Sequence, residues 1–142
     1  METQELHRGR LIDHIQLVVR DLAAAQRFYT AILENLNIPI AGTADDYFWA
    51  DELFICTPDS EAALGVLTGR HHLALQAQSR AMVDAFYQAA LANGGQDNGP
   101  PGERTYHPGY YAAFVLDPDG NNIEAVYHGE AARSAPSVQI RF

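Results

Sequence analysis

The chain has 142 residues, with 18 Asp and Glu against nine Arg, no Lys and a formal net charge of −9. One domain of this size buries about two thirds of the surface of its unfolded chain, and 47% hydrophobic with 19% charged residues is a globular composition. The acidity argues against nucleic acid or an anionic membrane as partner, since both need a basic face.

Cys56 stands alone, which excludes an intrachain disulfide and a Cys-rich metal cluster. No apolar run approaches the ~20 residues of a membrane span. METQELHRGR holds no hydrophobic segment for secretion, so a cytoplasmic location is expected. Without lysine there is no Schiff-base chemistry, and no GxSxG, Walker-type or GxGxxG stretch occurs.

In chain order, LIDHIQLVV (11–19) alternates. Ile15, Leu17 and Val19 share one face, and Ile12, His14, Gln16 and Val18 the other, which predicts a strand. Asp21 stands as an N-cap before a helix over 22–36, whose apolar stripe is Leu22, Ala25, Phe28, Tyr29, Ile32, Leu33 and Leu36, stopped by Pro39. DYFWAD (46–51) and ELFICTP (52–58) read as strands. HHLALQA (71–77) is another, with His72, Ala74 and Gln76 opposite Leu73, Leu75 and Ala77. Ser79 caps a second helix with Val83, Phe86, Tyr87, Ala90 and Leu91 as its buried stripe, ended by Gly94-Gly95. PPGERTYHPG (100–109) reads as a loop. YYAAFVLD (110–117) and NNIEAVYH (121–128) form a hairpin around the Asp117-Pro118-Asp119-Gly120 turn, and 129–142 read as a tail or partner-binding arm.

The order repeats because the sequence repeats. Residues 14–35 moved forward by 58 fall on 72–93 without gaps, and eight of the 22 positions are identical: His14/His72, Leu17/Leu75, Ala23/Ala81, Phe28/Phe86, Tyr29/Tyr87, Ala31/Ala89, Leu33/Leu91 and Asn35/Asn93. A duplicated module of about 11–68 and 70–128 within a single domain over 1–128 follows. The expected fold is α+β: two tandem modules forming a cupped antiparallel sheet with helices on its outer face.

Strand parity then assembles a candidate site. The apolar face of each first strand must meet its helix, so His14 and His72 point to the concave face. Glu124 lies opposite Ile123, Ala125 and Tyr127 and can point there too. Two imidazoles and a carboxylate suit a divalent first-row metal with open positions for substrate. His107 could reach the concavity from its loop. Arg104, Tyr106 and Tyr110 share that loop and are candidate substrate contacts or a polar rim; Trp49 is a further substrate candidate, though such aromatics are more often core.

On IDHIQLVVRDLAAAQRFYTAIL, HHLALQA and GYYAAFVLDPDGNNIEAVYH, the chain resembles the vicinal oxygen chelate superfamily of glyoxalase I, bleomycin-resistance proteins, fosfomycin-resistance enzymes and extradiol dioxygenases. The resemblance covers 11 to 128, and its most specific part is DPDGNxIE. It implies paired βαβββ modules, usually in homodimers, with family metal ligands matching His14, His72 and Glu124. Glyoxalase I carries a further glutamate on the last strand of module one, where this chain has FICTP, apolar apart from Thr57. The remaining His, His, Glu set is that of the fosfomycin enzymes and extradiol dioxygenases. The dioxygenases are usually about twice this length, and the fosfomycin enzymes bind an anionic phosphonate with several basic residues where only Arg104 is evident here.

Three functions compete at this level. The first is a small metal-dependent enzyme (Fe, Mn, Zn or Ni) that binds vicinal oxygens of a small-molecule substrate, with lyase, isomerase or ring-cleavage chemistry. In it Glu124, His107 and Tyr110 are the catalytic candidates, the latter two as proton carriers. The second is a metal-free binding protein of the bleomycin-resistance type, holding a cationic or aromatic compound. The third is a glyoxalase-like isomerase whose fourth ligand is water or comes from a neighbouring subunit.

Overall fold

The structure, a computed structural model, describes residues 5–60, 63, 65–69, 71–133, 135 and 137–141. Module one contains β2 (Ile15–Val18), helix α1 (Leu22–Glu34), β3 (Gly42–Thr43), β4 (Tyr47–Ala50) and β5 (Leu53–Cys56). Module two contains β6 (His72–Gln76), helix α2 (Arg80–Ala92), β7 (Gln96–Glu103), β8 (Tyr111–Leu116) and β9 (Asn122–Tyr127). Each module folds its strands into a four-stranded sheet, in the orders β2-β5-β4-β3 and β6-β9-β8-β7. The fold is α+β, as the duplicated pattern predicts. Both sheets are mixed rather than antiparallel throughout, because β2 pairs β5 and β6 pairs β9 in parallel. The crossover from first to last strand of a module passes through its helix and two further strands, long enough for parallel pairing.

The helices form where the caps predict. Asp21 Oδ1 accepts from Ala24 N at 3.1 Å, and Ser79 Oγ accepts from Met82 N at 3.1 Å. Helix α1 ends at Glu34, two residues short of the periodic stripe, and Asn37 takes a left-handed φ of 62° just beyond. Helices α1 and α2 pack on each other, so the two modules share a single core that includes Leu17, Phe28, Ile55, Phe86 and Ile123. At their close approach a Cβ on Gly95 would stand 2.7 Å from Phe28 Cε1 and 2.8 Å from the Ala90 carbonyl. Leu91, expected in the buried stripe, is exposed. The strand expected from residue 11 begins at Ile15, and Leu11 lies in solvent.

Two segments differ from the sequence reading. Gln96–Glu103 is a strand despite Pro100 and Pro101, where a loop is expected from residue 100. It is the edge of its sheet and its register shifts around Gly99 and Gly102, so the missing proline donors interrupt no central ladder. The expected tail supplies β10 (Val138–Arg141), which pairs antiparallel with β1 (Glu5–Arg8) as a two-stranded ribbon. Residues 134, 136 and 142 of that tail lie outside the described residues.

The turn between β8 and β9 ties the modules together. Asp117 Oδ1 accepts from Asp119 N at 2.9 Å and Asn121 N at 2.8 Å, and Gly120 takes a φ of 85°. Asp117 Oδ2 accepts from Tyr29 Oη on α1 at 2.6 Å. Burial, and then the neighbouring Asp117 charge, hold the Tyr29 phenol well above its ordinary value.

Candidate functional site

Glu124 sits in the middle of β9, opposite Ala74 on β6 and Phe114 on β8. It is 3% exposed, and burying a carboxylate requires donors or a cation. Both oxygens are engaged. His72 Nε2 lies 2.9 Å from Oε1, and Tyr110 Oη donates to Oε2. Burial, followed by the Glu124 hydrogen bond, pushes the Tyr110 phenol up to about 12.

His72 opens β6 opposite Asn122, and its side chain is 48% exposed. Its Nδ1 lies 2.6 Å from Asn122 Nδ2, and Asn122 Oδ1 accepts from Asn98 Nδ2 at 3.0 Å. In this arrangement the amide donates to Nδ1, so Nε2 carries the proton that meets Glu124. Turning the Asn122 amide places its oxygen at Nδ1 and frees the Nε2 lone pair, the state a metal ligand needs.

His14 lies elsewhere. It precedes β2 on the other sheet, its side chain is 55% exposed, and its Nδ1 bonds Asp13 Oδ1 at 2.6 Å. That bond, first among its causes, holds the Asp13 carboxyl below its ordinary value. The His14 ring meets the Phe54 ring edge-on at 5.3 Å. Among the described residues, no group of three or more His, Cys, Asp or Glu side chains gathers around one point. The structure brings His72 and Glu124 together and leaves His14 outside the pair.

The registers explain the asymmetry. Ile15 pairs Leu53 and Leu73 pairs Ile123, so the 58-residue shift that carries Ile15 onto Leu73 makes Leu53 the counterpart of Ile123. One step on, Phe54 is the counterpart of Glu124. Module one therefore presents an imidazole beside a phenyl ring where module two presents an imidazole beside a carboxylate. Phe54 and Tyr47 line a hollow of about 250 Å³ with Gln16, Asp46, Cys56 and Ser60. Trp49, expected to touch substrate, is 3% exposed and stacks on Phe54 at 5.2 Å, so it backs that wall.

A second cluster adjoins Glu124. His107 Nδ1 bonds the Pro108 carbonyl at 2.9 Å, and its Nε2 lies 2.9 Å from His128 Nδ1. A carbonyl only accepts, so in the neutral pair His107 carries its proton on Nδ1, accepts from His128 Nδ1–H, and leaves a lone pair on His128 Nε2. Tyr110 meets both rings edge-on, at 5.2 and 5.4 Å, and Tyr106 meets Tyr110 at 4.9 Å while itself lying exposed. Arg104 lies over Phe114 with its Cζ 5.2 Å from the ring centroid. Asn122 and His128 share the strand parity of Glu124, the signal that marks them in the sequence. The role of Phe54 needs the register.

The His72–Glu124 pair fits a divalent cation. Donors 2.9 Å apart suit two adjacent positions around an ion bound at about 2.1 Å. Tyr110 supplies the outer hydrogen bond to Glu124, and the Asn122 amide, once turned, supplies the one to His72.

A family model described as the Glyoxalase/Bleomycin resistance protein/Dioxygenase superfamily matches residues 11–125. The fold is similar to a glyoxalase/bleomycin resistance protein from Albidiferax ferrireducens T118, at 32% identity over 82% of this chain and 98% of that one, with a TM-score of 0.70. It is also similar to a family enzyme from Burkholderia phytofirmans PsJN at 19% identity, over 80% of this chain and 95% of that one, with a TM-score of 0.64. A lactoylglutathione lyase from Agrobacterium tumefaciens shares the fold at 20% identity, over 83% of this chain and 93% of that one, with a TM-score of 0.55. No curated protein matches. With most of its length matched by the family model, the chain belongs to the glyoxalase, bleomycin-resistance and dioxygenase superfamily.

Proposed function

We propose that this protein is a small metal-dependent enzyme acting on the vicinal oxygens of a small substrate. His72 and Glu124 form one part of the metal site, and His14 of a second copy completes it in a homodimer. The observation that carries the reading is the 2.9 Å approach of His72 Nε2 to a buried carboxylate in the middle of a strand. The separation of His14 from that pair is what makes a second copy necessary.

When bound, the metal would supply Lewis acidity toward a developing enolate or alkoxide. The chain's own residues do the rest. Tyr110 holds Glu124 in place through its hydroxyl, and Asn122 sets the tautomer of His72. The neutral His107–His128 pair offers His128 Nε2 as a proton acceptor at the edge of the site. Phe54 in the position of a second glutamate disfavours glyoxalase-type isomerisation through paired carboxylates.

Metal content of protein purified without chelator tests the proposal. Stoichiometric Fe, Mn, Zn or Ni that is lost in His72→Ala supports it; a metal-free wild type defeats it. The alternative is a metal-free binding protein of the bleomycin-resistance type. The hollow of Phe54, Tyr47 and Asp46 favours it, since aromatic faces beside a carboxylate suit a cationic or aromatic compound. It requires saturable binding that chelators leave unchanged.

A further inference from the structure

The face that carries Glu124 also carries two guanidinium groups held only by neutral acceptors. Arg104 folds back across edge strand β7, where Gly99 and Gly102 leave room. A Cβ on Gly102 would stand 3.0 Å from Arg104 Nη1, and one on Gly99 would stand 3.5 Å from Nη2 and 2.9 Å from Phe114 Cδ2. In this bed Nη2 donates to the Pro100 carbonyl at 2.7 Å and Nη1 to the Glu103 carbonyl at 3.3 Å. The group lies on Phe114, the cross-strand neighbour of Glu124, whose ring centroid is 6.0 Å from that of His72.

Arg133 approaches from the other side. It belongs to the segment after β9, and its Nη2 donates to Gln76 Oε1. Gln76 shares its strand face with His72 and Ala74, and pairs with Val126 one pleat beyond Glu124. Arg133 and His128 also line a cavity of about 630 Å³ with Gln78 and Tyr127. Strands spaced about 4.8 Å apart place Phe114 and Gln76 on opposite flanks of β9.

Arg8, Arg20 and Arg80 each have an acid partner. Among the described residues, no ion pair joins Arg104 or Arg133 to a carboxylate, in a chain with twice as many acids as arginines. Their charges remain available to an anion, and the planar fork of arginine matches the two oxygens of a carboxylate.

We infer that the ligand of this site is a small 2-oxo or 2-hydroxy carboxylate, its carboxylate bracketed by Arg104 and Arg133 over Glu124. This rests on the metalloenzyme reading for the place of the vicinal oxygens but not for the role of the arginines.

Calorimetric titration of oxalate, a compact carboxylate with vicinal oxygens, tests it on the full chain with and without Mn²⁺. The variants are Arg104→Met, Arg133→Met and Arg27→Met, the last a control on α1 whose side chain bonds the Ala92 carbonyl. Wild type and the Arg27 control should bind oxalate alike. Each of the other two should weaken it about tenfold while the affinity for Mn²⁺ alone stays the same. Oxalate affinity indifferent to both arginines, reduced in only one of them, or absent altogether overturns the inference. If wild type purifies without Fe, Mn, Zn or Ni and takes no Mn²⁺, yet oxalate still depends on both arginines, the metalloenzyme reading falls and this one stands. If Mn²⁺ binds and oxalate ignores the arginines, the reverse holds.

Discussion

A carboxylate buried at the centre of a strand is stable only with a donor at each oxygen, and Glu124 has His72 at one and Tyr110 at the other. Tyr110→Phe removes one donor while keeping the ring. Metal affinity measured by calorimetry should fall by about tenfold or more, with an unchanged circular dichroism spectrum. Asp117 is buried for a different reason, as the acceptor that joins the last turn to Tyr29 on α1. Tyr29→Phe should lower stability in urea by about 1–3 kcal/mol. The folded-state value of the Tyr29 phenol is raised, so the native state holds the proton more tightly than the unfolded chain. Its contribution is complete below the ordinary value near 10 and is lost as pH rises through the folded value. Wild type should therefore lose stability above about pH 10, and the variant should lose less, as denaturation midpoints against pH would show.

At the scale of elements, the caps and the glycines decide where helices stop and how closely they meet. Gly95 follows α2 where Phe28 of α1 presses in, at a distance no Cβ tolerates. Gly95→Ala should drive the helices apart and cost about 1–3 kcal/mol, read as a lower thermal midpoint. The edge strand β7 shows local chemistry yielding to tertiary context. Two prolines and two glycines predict a loop, yet one free edge asks for few donors, and β8 supplies the pairing partner. That strand then becomes the bed of Arg104.

At the scale of the whole molecule, the two modules are alike in fold and unlike in chemistry, because Phe54 stands where Glu124 has its counterpart. If His14 of one copy completes the pair of another, His14→Ala and His72→Ala should each lose metal alone and recover part of it when unfolded and refolded together. Half of the dimers in an equal mixture are mixed, and one of their two sites is whole, so about a quarter of the wild-type metal should return. Recovery of none would mean that no site is shared between copies.

The α+β class and the duplicated helices were legible from residue order alone, because they rest on periodicity and caps that act within a few residues of one another. The superfamily was legible through the resemblance carried by DPDGNxIE and the two copied stretches. Phe28 and Phe86 are identical under the repeat and are both fully buried. Parity likewise assigned His14, His72 and Glu124 to one face, since alternation is a property of the strand itself. What parity cannot supply is distance between strands. The approach of His72 to Glu124, the separation of His14 from that pair, the equivalence of Phe54 and Glu124 under the repeat and the return of Arg133 to Gln76 all depend on which strands lie side by side. That choice is made by long-range packing of the shared core, and no short stretch of the chain encodes it.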